Sequence, residues 1–169
     1  EPGASTELRP HVAEILEELR PQATQEHIAL EIAEVPEGMI ACSPGVLASL
    51  LSNLVRNAIR YMGPAEPRRI DVRVLEAGER WRFEVQDTGP GIPADQQDRI
   101  FEPHVQLAHG TQGIGLGLAT VDRLVRAHAG ALGVISTPGS GALFWFELPK
   151  AHAEPPRESA PGDDSVAIP

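Results

Sequence analysis

Between Asp87 and Gly117 the chain carries glycine and proline at short intervals and shows no hydrophobic period. Connections longer than about 12–15 residues without secondary structure of their own are uncommon in compact domains and are usually functional. The sequence on either side must therefore build a scaffold around a long working loop.

The flanking segments read as alternating helices and hairpins. Leu8, Val12, Ile15, Leu16 and Leu19 recur at helical steps and predict a helix from Leu8 to about Thr24, ended or kinked by Pro21. His27 to Ala33 alternates as a strand, and Met39 to Cys42 reads as a short second one after the Pro36-Glu37-Gly38 turn. Ser43-Pro44 sets an N-cap and a first-turn proline for a helix running to about Tyr61. Arg69 to Leu75 and Trp81 to Gln86 form a hairpin about Ala77-Gly78-Glu79. Ile114 to about Ala129 is a helix stopped by Gly130. Ala131 to Thr137 and Ala142 to Leu148 are strands around Pro138-Gly139-Ser140-Gly141. This order predicts a two-layer α/β sandwich, with a mixed, mostly antiparallel sheet and three helices on one face. Residues 1–149 form one domain, and 150–169, rich in Pro, Ala and acids, read as a disordered tail.

Composition narrows the function. The chain has 169 residues and a net charge of −10, which argues against nucleic-acid binding through a broad basic face. No apolar run approaches the ~18–20 residues that span a bilayer. Cys42 is the single cysteine, which fits a reducing compartment. Lys150 is the only lysine, so work usually given to Lys falls to Arg. The opening Glu-Pro-Gly-Ala-Ser is not that of a start codon, and the chain reads as an excised or processed piece.

Three clusters carry chemistry. Asn53 and Asn57 lie one turn apart on a helix, ~40° from each other, with Arg60 just beyond on the same side. An amide carbonyl is a hard oxygen donor suited to Mg²⁺, and a guanidinium forks onto phosphate oxygens. A polar helix face with a bridging Asn fits the same residues. Asp87-Thr88-Gly89-Pro90-Gly91-Ile92-Pro93 places a carboxylate at a strand end before spaced glycines, where backbone approaches a ligand closely. The carboxylate can accept from an exocyclic amine such as that of adenine. A Gly-Pro turn with an Asx cap is the plain alternative. Gly113-Ile114-Gly115-Leu116-Gly117-Leu118 opens a helix, where free N–H groups favour a phosphate. No Gly-Lys-Ser/Thr follows, which excludes a Walker-type loop.

Taken in order, these motifs resemble the catalytic ATP-binding domain of bacterial sensor histidine kinases, within the GHKL superfamily of gyrase, Hsp90, histidine kinase and MutL. Leu50 to Tyr61 resembles the N box, Asp87 to Pro93 the G1 box, Arg99-Ile100-Phe101-Glu102-Pro103 the F box, and Gly113 to Leu118 the G2 box. The resemblance spans roughly residues 8–149 and implies the Bergerat fold. It implies ATP and Mg²⁺ as cofactors, with Asn57 as the metal ligand and Asn53 and Arg60 beside it on the phosphates. It gives Tyr61 as an aromatic at the nucleotide, Asp87 as the reader of the adenine amine, and Gly89, Gly91 and Ile92 as its pocket. Residues from about Gln97 to Gly113 become the ATP lid, with Phe101 as its anchor and Thr111 within it. The backbone of Gly113, Ile114, Gly115, Leu116, Gly117 and Leu118 meets phosphate.

Asn53 stands where water-attacking ATPases and serine kinases of the superfamily carry Glu. An amide is no general base, which favours the histidine-kinase branch. None of His11, His27, His104, His109, His128 and His152 sits in a phosphoacceptor motif. The resemblance thus implies transfer of the γ-phosphate to a histidine on a separate dimerisation and phosphoacceptor domain, and onward to a response regulator. It implies a cytoplasmic location, including as the cytoplasmic part of a membrane-anchored kinase, without direct membrane contact by this domain. The competing readings are an ATP-binding module without phosphotransfer, and an ATPase or serine kinase of the same superfamily.

Overall fold

The computed structural model describes residues 3–102 and 117–151. The elements are β1 (Thr6–Glu7), α1 (Leu8–Gln25), β2 (Ala29–Ile32), β3 (Met39–Ile40), α2 (Pro44–Arg60), β4 (Arg69–Ala77), β5 (Arg80–Asp87), α3 (Ala94–Gln97), α4 (Gly117–Ala127), β6 (Ala131–Ser136) and β7 (Ala142–Pro149). Five strands form one sheet in the order β2-β4-β5-β7-β6. β2 runs parallel to β4, and the other three pairings are antiparallel. The expected mixed, mostly antiparallel sandwich is therefore present.

Alternation along the strands decides which face is covered. Ile70, Val72 and Val74 of β4, Phe83 and Val85 of β5, and Phe144, Phe146 and Leu148 of β7 are buried in one core with the apolar stripes of α1, α2 and α4. Phe83 and Phe146 face each other across the ladder and stack at 4.6 Å. The opposite face is polar. There Glu84 takes Arg73 at 2.8 Å and Arg82 at 2.9 Å, Arg82 also reaches Glu147 at 3.0 Å, and its guanidinium lies 4.1 Å from the Trp145 ring centroid.

Several boundaries differ from the sequence reading, each for a local reason. α1 passes through Pro21 and ends at Gln25. Pro21 and Glu17 are both exposed, so the ring and the carbonyl it frees face water. α1 then closes with His27 in the left-handed region (φ 55°), while Ile28 N–H reaches back to Ala23 and His27 N–H to Thr24. This is a Schellman motif without glycine, and it delays the strand to Ala29. α4 ends the same way: Ala129 takes φ 54°, with Ala129 N–H on Arg126 and Gly130 N–H on Val125. Gly130 is thus not the left-handed residue. It is needed for space, since a Cβ there would sit 2.4 Å from the Glu147 carbonyl oxygen.

β1 and α3 have no counterpart in the sequence reading. β1 pairs with β3, and Thr6 Oγ1 donates to the buried Cys42 carbonyl at 2.6 Å. Lys150 bridges Ile40, and Ala151 N–H reaches the Met39 carbonyl at 2.9 Å. Both residues fall in the segment 150–169 that the sequence reads as a tail, and these bonds tie its first two positions to the fold. Residues 152–169, and the expected start of α4 at Ile114, lie outside the described residues.

Candidate nucleotide site

α2 supplies one wall. Its start is fixed by Ser43, whose hydroxyl accepts from Val46 N–H at 3.3 Å, and by Pro44 in the first turn. Leu47, Leu50, Leu51, Leu54, Val55 and Ala58 pin the inner face. That packing leaves Asn53 and Asn57 half-buried along one edge and Arg60 exposed at the end. Asn53 donates its amide N–H to the Ser49 carbonyl at 2.8 Å. Its Oδ1 faces Gly117, where a Cβ would stand 3.1 Å away. The glycine lets α4 approach α2 at this point. Asn57 has no side-chain hydrogen bond among the described residues and lines a narrow cavity.

That cavity is walled by Asn57, Tyr61, Asp87, Gly91, Ile92, Ala142 and Phe144. Asp87 ends β5 and is 6% exposed. One oxygen, Oδ1, accepts from Gly89 N–H at 2.9 Å and Ala142 N–H at 3.2 Å. Its second oxygen has no hydrogen bond to the described residues, leaving it to a ligand. Burial pushes the Asp87 carboxyl above its usual 3.8, against the two backbone donors that stabilise its ionised form.

The loop after Asp87 is bonded to the turn between β6 and β7. Gly139 N–H meets the Pro90 carbonyl at 2.7 Å. Ile92 N–H donates to Ser136 Oγ at 2.8 Å, and that hydroxyl donates to the Gly141 carbonyl at 2.8 Å. Gln97 Nε2 donates to the Ile92 carbonyl at 2.9 Å and the Ser136 carbonyl at 3.1 Å. Glycine is required at two contacts. Gly91 has φ 76°, and a Cβ there would come 2.6 Å from the Thr137 carbonyl oxygen. Gly141 has φ 78°, and a Cβ there would come 2.0 Å from the Asp87 carbonyl oxygen. Thr88 ties the other flank, with its hydroxyl on the Pro67 carbonyl at 2.5 Å.

The structure thus gathers Asn57, Tyr61, Asp87, Gly91 and Ile92 on one cavity. Gly89 lines a neighbouring cavity with Met62 and Pro90, and its part at Asp87 is the N–H bond. Arg60 lies one turn beyond Asn57 and does not line the cavity. Phe101 packs edge-on to Phe144, with centroids 6.3 Å apart. Leu118 packs against the core. Thr111, Gly113, Ile114, Gly115 and Leu116 lie outside the described residues. The sequence reading did not place Phe144, Ser136 or Gly141 here. The alternation of β7, which sets Ala142 and Phe144 on one face, is the signal that points to Phe144.

The residues present fit the expected groups. The amide of Asn57, without a side-chain hydrogen bond among the described residues, offers a hard oxygen of the kind Mg²⁺ accepts. The free edge of Asp87 offers an acceptor to an amine. Among the described residues no group of three or more His, Cys, Asp or Glu could form a metal centre, so any metal would rely on ligand oxygens as well.

Comparison with known proteins agrees with this geometry. The profile of the histidine kinase-, DNA gyrase B-, and HSP90-like ATPases matches residues 43–152. The adaptive-response sensory kinase SasA of Crocosphaera subtropica is 37% identical over 145 residues, covering 80% of this chain and 36% of that protein. The alginate biosynthesis sensor protein KinB of Pseudomonas aeruginosa is 40% identical over 100 residues, covering 59% of this chain and 16% of KinB. The full-length ShkA structure, in complex with AMPPNP, superposes with a TM-score of 0.75 at 38% identity, over 88% of this chain and 31% of ShkA. The mycobacterial sensor histidine kinase MprB gives 0.77 at 25% identity, over 87% of this chain and 98% of that one. The chain spans about a third of the length of SasA, 36%.

Proposed function

Since the chain belongs to the histidine kinase-, DNA gyrase B- and HSP90-like ATPase family, we propose that it binds Mg²⁺–ATP and donates the γ-phosphate to a histidine on a separate helical domain. The observation that carries this reading is the buried Asp87 carboxylate. It is held by two backbone donors through one oxygen and opens its other edge to the cavity beside Asn57.

In this reading Asp87 accepts from the adenine amine, and Ile92, Tyr61 and Phe144 provide apolar walls for the base. Asn57 holds Mg²⁺ with Asn53 beside it, and the ion when bound neutralises charge on the phosphates. Arg60, exposed beyond Asn57, meets phosphate oxygens, as do backbone N–H groups of the Gly113–Leu118 segment. The chain's contribution to phosphoryl transfer is positioning and charge neutralisation. Asn53 supports transfer to an imidazole over attack by water. It is an amide whose N–H is spent on Ser49, and it has no basic group to offer a nucleophile. An imidazole needs no such base. Among the described histidines, the Nδ1 atoms of His11 and His128 lie on the carbonyls four residues earlier, those of Glu7 and Leu124, at 2.9 and 2.8 Å. This reading puts the acceptor histidine on another domain, the final acceptor on a response regulator, and the protein in the cytoplasm. No described helix is long and apolar enough to cross a membrane.

The test is calorimetric titration of the chain with ATP and ADP, with and without Mg²⁺, followed by incubation with a separate phosphoacceptor domain. Saturable one-to-one binding and acid-labile phosphate on the acceptor histidine are expected. Binding without transfer to any such domain would reduce the chain to a nucleotide-binding module.

A further inference from the structure

We infer that Ser136 and Gln97 are positioning residues for the base end of the nucleotide site. This rests on the reading of that site as an adenine seat. Neither residue lines the cavity, yet together they determine where its outer wall stands.

The Ser136 hydroxyl is used twice. It accepts the Ile92 N–H and donates to the Gly141 carbonyl. Gly141 precedes Ala142, whose N–H holds Asp87 Oδ1. One side chain therefore joins the apolar wall, Ile92, to the backbone that aims the carboxylate. Gln97 closes the same link from the other side. Its amide group spans the Ile92 carbonyl and the Ser136 carbonyl, so Ile92 is held by a side chain at both its N–H and its C=O.

These bonds bear on position because, apart from the burial of its side chain and the Gly139–Pro90 bond beside it, the backbone of Ile92 is held by them. Ile92 lies in a loop between β5 and the four-residue α3, with no ladder partner of its own. Gly91 is packed with 3.1 Å of clearance for a Cβ against both Ser136 Oγ and the Gly141 carbonyl oxygen. Removing the hydroxyl frees the Ile92 N–H and the Gly141 carbonyl together and loosens Ile92 against the turn, leaving the Gly139–Pro90 and Gln97 bonds to hold the loop.

Ser136→Ala and Gln97→Met remove the polar groups at similar shape, and Ser136→Thr keeps the hydroxyl. Binding of ADP and of adenosine is measured by calorimetry, and exchange of the Ile92 amide by NMR. Each of the first two variants removes two hydrogen bonds that act on the site only through Ile92 and the turn, and should weaken both ligands about five- to tenfold, roughly half of their summed net worth. Ser136→Thr should return affinity to within about twofold, and the double variant should lose less than the product of the singles, since both act through Ile92. Ile92 exchange should quicken in Ser136→Ala while Val85 in β5 stays protected.

Unchanged ligand affinity in Ser136→Ala and Gln97→Met overturns the assignment, as does full additivity or failure of Ser136→Thr to rescue. A wild-type chain that binds neither ligand overturns the nucleotide reading, and this role with it. The exchange data separate the two failures, because faster Ile92 exchange without any ligand binding leaves a loop latch that serves no adenine seat.

Discussion

Replacing Asp87 by Asn isolates the ionised acceptor from the fold of its loop. Gly89 N–H and Ala142 N–H both point at Oδ1, so an asparagine must turn its single oxygen to them. Its NH₂ then occupies the free edge, and an adenine amine meets a donor where it needs an acceptor. The lost charge-assisted hydrogen bond is worth about 1.5–3 kcal/mol, and a buried donor left unpaired adds about 1–3 kcal/mol. Together they give about 2.5–6 kcal/mol, or roughly two to four decades in Kd at about 1.4 kcal/mol per decade. The assay is calorimetry with ADP, beside thermal unfolding of the nucleotide-free protein. Melting should not fall, because both backbone donors keep their partner. Binding within tenfold of wild type, with the fold intact, would refute the placement of the base amine on Asp87.

Acid should act on the same group. Burial holds the folded Asp87 carboxyl above its ordinary 3.8, so the folded chain keeps this proton more tightly than the unfolded one. Its favourable contribution is full below 3.8 and is lost as pH rises through the raised value; urea unfolding should show Asp87→Asn more stable than wild type at neutral pH, with the gap closing on acidification. ADP affinity should weaken in the opposite sense, falling as the carboxylate takes up its proton. Gly141→Ala should lower the melting temperature, with a loss of unfolding free energy of about 2 kcal/mol or more, because left-handed backbone costs an L-residue about 1–2 kcal/mol and the methyl meets the Asp87 carbonyl oxygen. Ala129→Gly should raise stability by about 1 kcal/mol in denaturant unfolding, since it relieves the left-handed residue that closes α4.

What could be read from the sequence follows the range of the interactions involved. α2 is legible because Ser43-Pro44 and its leucine stripe are local signals, and they carry Asn53 and Asn57 to one edge. Asp87 is legible because a strand ends on it and spaced glycines follow. The non-glycine helix ends at His27 and Ala129 are not, because a left-handed residue is held there by the backbone bonds of Ile28 N–H to Ala23 and Gly130 N–H to Val125 and not by its own preference. β1 needs a partner more than thirty residues away, Thr6 opposite Ile40, and two residues give no period. Ser136 and Gln97 show the same limit at the site. Their partner Ile92 lies 44 positions from Ser136, and only the closed sheet brings them together.

The two short residues of β3 also set how load passes through the molecule. β1 lies along one edge of Ile40, and the chain leaving β7 at Lys150 lies along the other. Entry and exit are therefore two strand spacings apart, about 10 Å. β1 and the exit segment both run from the level of Ile40 to that of Met39, so a pull on the N-terminal side of Thr6 against the C-terminal side of Ala151 loads the small clip in shear, with its hydrogen bonds sharing the force. The long ladders from β4 to β7 would carry tension only after Thr6 and Ala151 had let go. The two edges of this clip thus meet at one corner of the domain, at the end of β7 opposite the Ala142 that walls the cavity, so a load applied there enters the fold a full strand length from the site.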